Sequence, residues 1–178
     1  MVTIIIGSNR KDNISKLIGD IYINILTELF NEKVEMVNLE EMPSAILHSD
    51  MYTQKNEWLE RLKTDILIPT NKYIFILPEY NGTFPGAVKL FVDALSSKDA
   101  DTVFYGKKAA LVGVSAGKFG NWLGLEHFGV VLNYLKISVF HQKVSISNLW
   151  DFMKDGISFE DAKTEGYIKK QLEGFLNF

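Results

Sequence analysis

The stretch 78-PEYNGTFPGAVKLFVDALS-96 opens as a turn and closes as a helix, and residues 72–78 leading into it read as a buried strand. Leu77 precedes a proline, which pushes it toward extended backbone and carries the strand up to Pro78. Asn81-Gly82 supplies a tight turn where positive φ is tolerated. Pro85 suits the first turn of the helix that follows, because its missing N–H costs nothing there. A strand, a turn and a helix cap account for both prolines and the glycines but not for Glu79-Tyr80-Asn81. Such a turn can present N–H and C=O groups beside a flat ring, with Tyr80 packed at the edge. Loops of this kind carry chemistry more often than the elements they join.

Outward from that unit the same alternation repeats. Val2 to Ile6 is strand-like, and Ile14 to Phe30 places Leu17, Ile18, Ile21, Ile25, Leu26 and Leu29 at a helical period. Val34 to Leu39 is a second strand, residues 40–54 are irregular, and Lys55 to Leu67 is a weaker helix stopped by Pro69. After the strand Tyr73–Leu77 and the helix Pro85–Leu95 come a strand over Lys108–Val114 and a helix over Asn121–Leu135. Ser138 to Phe140 starts a short fifth strand, and Phe159 to Leu176 closes the chain as a helix. Strands alternating with helices predict an α/β fold, a parallel sheet covered on both faces. Five strands with short turns suit a doubly wound sheet of order 2-1-3-4-5, which binds ligands beyond the carboxyl ends of its strands. No linker or repeat divides the chain, so residues 1–178 read as one domain.

Composition removes several classes of function. Hydrophobic residues make up 47% and charged residues 23%, a globular balance without disorder. The longest apolar runs, such as Ile74-Phe75-Ile76-Leu77, are too short to cross a bilayer. Met1 leads directly into a strand rather than a signal peptide, so a cytoplasmic protein is expected. The absence of cysteine excludes disulfides, thiolate nucleophiles, iron–sulfur clusters and cysteine-based zinc sites. His48, His127 and His141 stand at no metal-ligand spacing, and a net charge of −3 with scattered lysines argues against nucleic acid.

Two further strand-end loops flank the first. The run 7-GSNRKDNIS-15 puts a glycine, hydroxyl and amide side chains and Arg10 ahead of a helix N-terminus, where unpaired N–H groups and the helix dipole favour an anion. Arg10 adds planar donors suited to phosphate. Neither a Walker loop nor a GxGxxG is present, and the run also reads as a plain cap with Asn13 or Ser15 capping and Arg10 solvated. In 113-GVSAGKFGN-121 the small residues let a ligand approach the backbone, and Phe119 or Trp122 offers an aromatic wall. A phosphate at the first loop and a planar group between the other two have the shape of FMN.

Over residues 2–140 the chain resembles the NADPH-dependent FMN reductase family, flavodoxin-like enzymes that reduce free flavins, quinones, azo dyes or chromate. The resemblance rests on Gly7-Ser8-Asn9-Arg10, on Pro78-Glu79-Tyr80-Asn81 with Pro85-Gly86 and Lys89, and on Ser115-Ala116-Gly117 with Gly120. It implies that Ser8, Arg10, Asn13 and Ser15 hold the FMN phosphate. Pro78, Glu79, Tyr80, Asn81 and Gly82 would lie along the isoalloxazine, and Ser115, Ala116, Gly117 and Gly120 would complete the pocket. Family members often carry Gly-Gly-x-Arg where this chain reads Gly120-Asn121-Trp122-Leu123. The implied activity is ping-pong electron transfer from NADPH or NADH through FMN to a small acceptor, with no protein acid or base. A flavodoxin-like electron carrier docking a redox protein is a rival, though 22 acidic against 19 basic residues lack a carrier's strong acidity. A non-catalytic protein that kept the fold is another. A dimer or dimer of dimers is expected, because Val88, Leu90, Phe91, Val92 and Leu95 exceed the needs of one helix face. Burial by the chain's own 142–178 tail is the alternative.

Overall fold

Val2–Ile6 has no polar alternation to give it a wet side, and all five residues are buried as strand β1 at the centre of the sheet. In the computed structural model, which describes residues 1–29, 33–154, 158–159 and 161–178, β1 pairs in parallel with β2 (Val34–Asn38) and β3 (Lys72–Pro78). Ile4 stands opposite Met36 on one side and Ile74 on the other. Next to β3 lies β4 (Lys108–Val114), also parallel. The order is the expected 2-1-3-4-5, in a flavodoxin-like arrangement with helices on both faces.

The fifth position differs in detail from the reading of the sequence. Two short segments share it. β5 (Ser138–Val139) pairs with the start of β4, and β6 (Val144–Ile146), absent from the sequence reading, pairs with its end. Between them the chain leaves the ladder to bury Phe140, whose ring meets Phe175 and Phe178 at centroid distances of 5.9 and 5.4 Å. Gln171, fully buried, donates its amide to the Leu111 carbonyl (3.1 Å) and the Gln142 carbonyl (2.8 Å). The side chain thereby satisfies polar groups at the interruption that a continuous ladder would pair. Its oxygen takes the hydroxyl of Tyr22 at 2.6 Å.

Helices α1 (Ser15–Leu29) and α5 (Ala162–Asn177) cover one face, joining Ile4, Ile6, Ile18, Ile74, Ile168, Leu172 and Phe175 in one core. On the other face, α3 (Gly86–Val103) and α4 (Trp122–Tyr134) bury Val88, Phe91, Leu125 and Phe128 against Ile5, Phe75 and Leu77. Between β2 and β3, α2 (Glu57–Leu62) is tighter than the 55–67 helix expected. It runs on into a π-helical turn over Lys63–Leu67.

Several expectations need correction. Phe159 stands not in the closing helix but in a strand, Ser158–Phe159, antiparallel to Met153–Lys154. α5 starts later because the Asp161 side chain accepts the Lys163 N–H at 3.0 Å and caps it there. α3 passes Leu95 by two turns with a break at Asp99, whose carboxylate takes the Lys63 ammonium at 2.8 Å. Val88, Phe91, Val92 and Leu95 are buried by the chain's own strands and helices on the α3/α4 face, not by the tail, which lies on the opposite face. Leu90, the fifth of these residues, is partly buried against the same core. Phe30, the expected end of the first helix, lies outside the described residues.

Candidate active site

The carboxyl ends of β1, β3, β4 and β6 converge on a cavity of about 270 Å³, near the lower end of small-molecule pockets, roughly 300–1,000 Å³. The loop after β1 forms one wall. Ser8 is fully buried; its hydroxyl meets the Tyr80 hydroxyl at 2.6 Å and accepts the Arg10 N–H at 3.3 Å. Arg10 lays its guanidinium 4.3 Å from the centroid of the Tyr80 ring. The cation–π contact positions the head group while leaving its N–H donors accessible. Among the described residues no carboxylate is ion-paired with it. Ser15 opens α1, is 3% exposed and lines the cavity, and its hydroxyl has no hydrogen-bond partner among the described residues. The Ser15 hydroxyl, the N-terminus of α1 and the Arg10 guanidinium thus stand on one wall, a set of donors whose chemistry suits an anion.

Asn13 lines the same wall, yet its amide is already engaged. It donates to the Glu40 carboxylate (3.0 Å), the Asn38 side chain (3.3 Å) and the Arg10 carbonyl (3.2 Å), and its oxygen accepts the Lys16 N–H (3.1 Å). Asn13 therefore caps α1 and ties the loop to the end of β2.

The turn after β3 takes the conformation the sequence expects. Asn81 (φ 52°) and Gly82 (φ 78°) occupy its two central positions, closed by Tyr80 and Thr83, whose backbones exchange hydrogen bonds of 2.9 and 3.2 Å. Pro78, Glu79 and Tyr80 line the cavity, while Asn81 and Gly82 project past it. The Glu79 N–H continues the ladder to the Val114 carbonyl at 2.8 Å, and its carboxylate accepts the Asn121 N–H at 3.3 Å.

In the loop after β4, Ser115 and Ala116 line the cavity and Gly117 and Gly120 lie outside it. The Ser115 hydroxyl donates to the Gly117 carbonyl (2.8 Å) and accepts the Gly120 N–H (2.9 Å), so it shapes its own loop. Neither Phe119 nor Trp122 forms the aromatic wall. That wall is Trp150, beside Leu149, from the tail that the sequence reading set apart. Backbone bonds lace this segment to the third loop: Ser115 N–H to Ile146, Leu149 N–H to Ser115 and Asn148 N–H to Gly117. The missed signal was Val144–Ile146, too short and too polar at Ser145 to read as a strand. Larger hollows of about 590 and 620 Å³ are lined by residues 36–66 alone and touch none of these loops.

The description "NADPH-dependent FMN reductase" belongs to the family model that matches residues 1–151. The chain belongs to that family. This FMN reductase family member is 25% identical over 141 residues to a 2-hydroxy-1,4-benzoquinone reductase of a Burkholderia species, covering 79% of this chain and 74% of that protein. It is 31% identical over 101 residues to an NAD(P)H-dependent FMN reductase of Pseudomonas aeruginosa, covering 56% of this chain and 54% of that one. In fold it is similar to FerB, an NAD(P)H:acceptor oxidoreductase of Paracoccus denitrificans. The TM-score is 0.79 at 23% identity, over 99% of this chain and 94% of that one. As a member of this family the protein is an oxidoreductase that uses FMN with NAD(P)H. The residues lining the cavity fit FMN: the Ser8–Arg10–Ser15 wall suits its phosphate, and backbone beside Tyr80 suits the edge of its ring. No helix among the described residues is long and apolar enough to cross a membrane.

Proposed function

We propose that the chain is a single-domain NAD(P)H:acceptor oxidoreductase of the cytoplasm, holding FMN at the converging strand ends. It passes electrons by a ping-pong cycle to a small acceptor such as a quinone, a free flavin, an azo compound or chromate. The observation that carries this is the wall itself, where the Ser15 hydroxyl lines the cavity and the Arg10 guanidinium rests on Tyr80, both at the N-terminus of α1. FMN held there would supply the redox chemistry between the nicotinamide hydride and the acceptor. Ser8, Arg10 and Ser15 would hold the phosphate and Pro78–Tyr80 the ring edge, with Trp150 lining the same cavity. The quinone reductases among its relatives support a quinone-type acceptor.

We also propose a homodimer, or a dimer of dimers, built on α4 instead of α3. Phe119, Trp122, Leu123, Val130 and Tyr134 are all exposed, and residues 123, 130 and 134 repeat at helical spacing along one face. A run of large apolar side chains on one surface marks an interaction site. Initial rates measured against NADPH, and then NADH, at several fixed benzoquinone concentrations test the cycle. Parallel double-reciprocal lines support it, and intersecting lines refute the ping-pong order.

A further inference from the structure

The loops after β3 and β4 face each other across the ring side of the cavity, and one side chain joins them. Asn121, 1% exposed, caps the start of α4 with left-handed backbone (φ 57°). Its Nδ2 donates to the Leu77 carbonyl at 2.9 Å and the Pro78 carbonyl at 3.1 Å, and its N–H donates to the Glu79 carboxylate at 3.3 Å. Three successive residues of the β3 end are thus held by one asparagine. The arrangement carries visible costs. Its Oδ1 is buried without a hydrogen-bond partner, and buried polar groups of native proteins are rarely left so. Gly124 must lack a side chain, because a Cβ there would stand 2.1 Å from that oxygen. A β-branched or bulky residue resists the backbone of position 121, whereas asparagine tolerates it.

We propose that Asn121 is a positioning residue for the flavin ring, clamping Leu77–Glu79 to the head of α4 so that the turn at Tyr80 presents a fixed edge. The proposal rests on the FMN reading above. Asn121 makes no hydrogen bond to Ser8, Arg10 or Ser15 and reaches that wall only through Tyr80, so its loss acts first on the ring edge. Glycine keeps the left-handed backbone and removes the side chain, which makes Asn121→Gly the informative variant.

Fluorescence titration with FMN and with riboflavin reads the effect, alongside visible circular dichroism of the bound flavin and kcat at saturating FMN. In N121G both flavins lose affinity by the same factor, about five- to thirty-fold, as expected for two modest hydrogen bonds. The dichroism of the bound flavin weakens and kcat falls even at saturation, which a merely structural residue would not cause once cofactor is bound. Unchanged affinity and dichroism overturn the proposal, and loss confined to FMN overturns it by placing the effect at the phosphate. Should N121G not fold, Asn121→Asp keeps the size and the tolerance of positive φ while losing the Nδ2 donor, and the same parallel loss is expected of it. Parental protein that binds no flavin overturns the FMN reading itself, and the clamp's purpose with it. Parental protein that binds flavin beside an N121G that binds it equally well overturns the clamp alone.

Discussion

At the scale of the residue, Arg10 separates a cofactor anchor from a solvated side chain. Its guanidinium rests on Tyr80 and keeps its donors free. Arg10→Ala is expected to weaken FMN binding by about 1.5–3 kcal/mol, the range for a hydrogen bond to a charged group. Riboflavin, lacking the phosphate, should bind the variant and the parent alike; isothermal titration of both flavins checks the contrast, and equal losses contradict it. Much at this scale was legible in the sequence. Asn81-Gly82 announced its positive φ because few other residue pairs accept that backbone. Asn13 was less legible, since an amide at a loop reads equally as a phosphate donor and as a cap. Only the position of Glu40, brought alongside by β2, decided for the cap. Trp150 was not legible at all. Its place depends on which backbone groups β6 pairs with, and three residues carry too little pattern to announce a strand.

At the scale of the element, the closing helix shows how a cap can override periodicity. Apolar spacing extends the helix back to Phe159, but Asp161 takes the Lys163 N–H and the Thr164 hydroxyl and starts it at Ala162. The Thr164 hydrogen bond holds the Asp161 carboxyl below its usual pKa of 3.8. A depressed carboxyl pKa contributes stability that is present above the unfolded value and is lost as pH falls through the folded one. Asp161→Ala is therefore expected to cost about 0.5–2 kcal/mol at neutral pH, as a lost N-cap does. The difference should shrink below pH 3.8. Urea midpoints of parent and variant from pH 7 to pH 3 check this, and a difference that stays constant to pH 3 contradicts it. The split of the fifth strand belongs here too. The sheet order could be read from alternating strands and helices, but not the interruption that Phe140 forces and Gln171 repairs, because both depend on contacts with α5.

At the scale of the whole molecule, the apolar residues that the sequence concentrates on α3 pack into the chain's own core. Counting apolar residues along α3 cannot tell a subunit interface from burial within the chain, and the face of α3 that carries Val88, Phe91, Val92 and Leu95 is packed on the sheet. α4 and the loop before it carry a group of exposed apolar residues, with Val130 69% and Tyr134 85% exposed. Val130→Asp is expected to shift the protein to monomer in sedimentation at micromolar concentration while leaving its thermal midpoint within a few degrees. A parent that sediments as a monomer contradicts the dimer outright.

The central claim is that this fold holds FMN as a working redox centre, and one spectrum tests it most directly. Purified protein loaded with FMN, freed of excess cofactor and kept anaerobic, is expected to show the yellow flavin bands. NADPH or NADH should bleach them within a turnover, and benzoquinone should restore them. Protein that retains no flavin after loading, or whose bound flavin neither nicotinamide bleaches, contradicts the account.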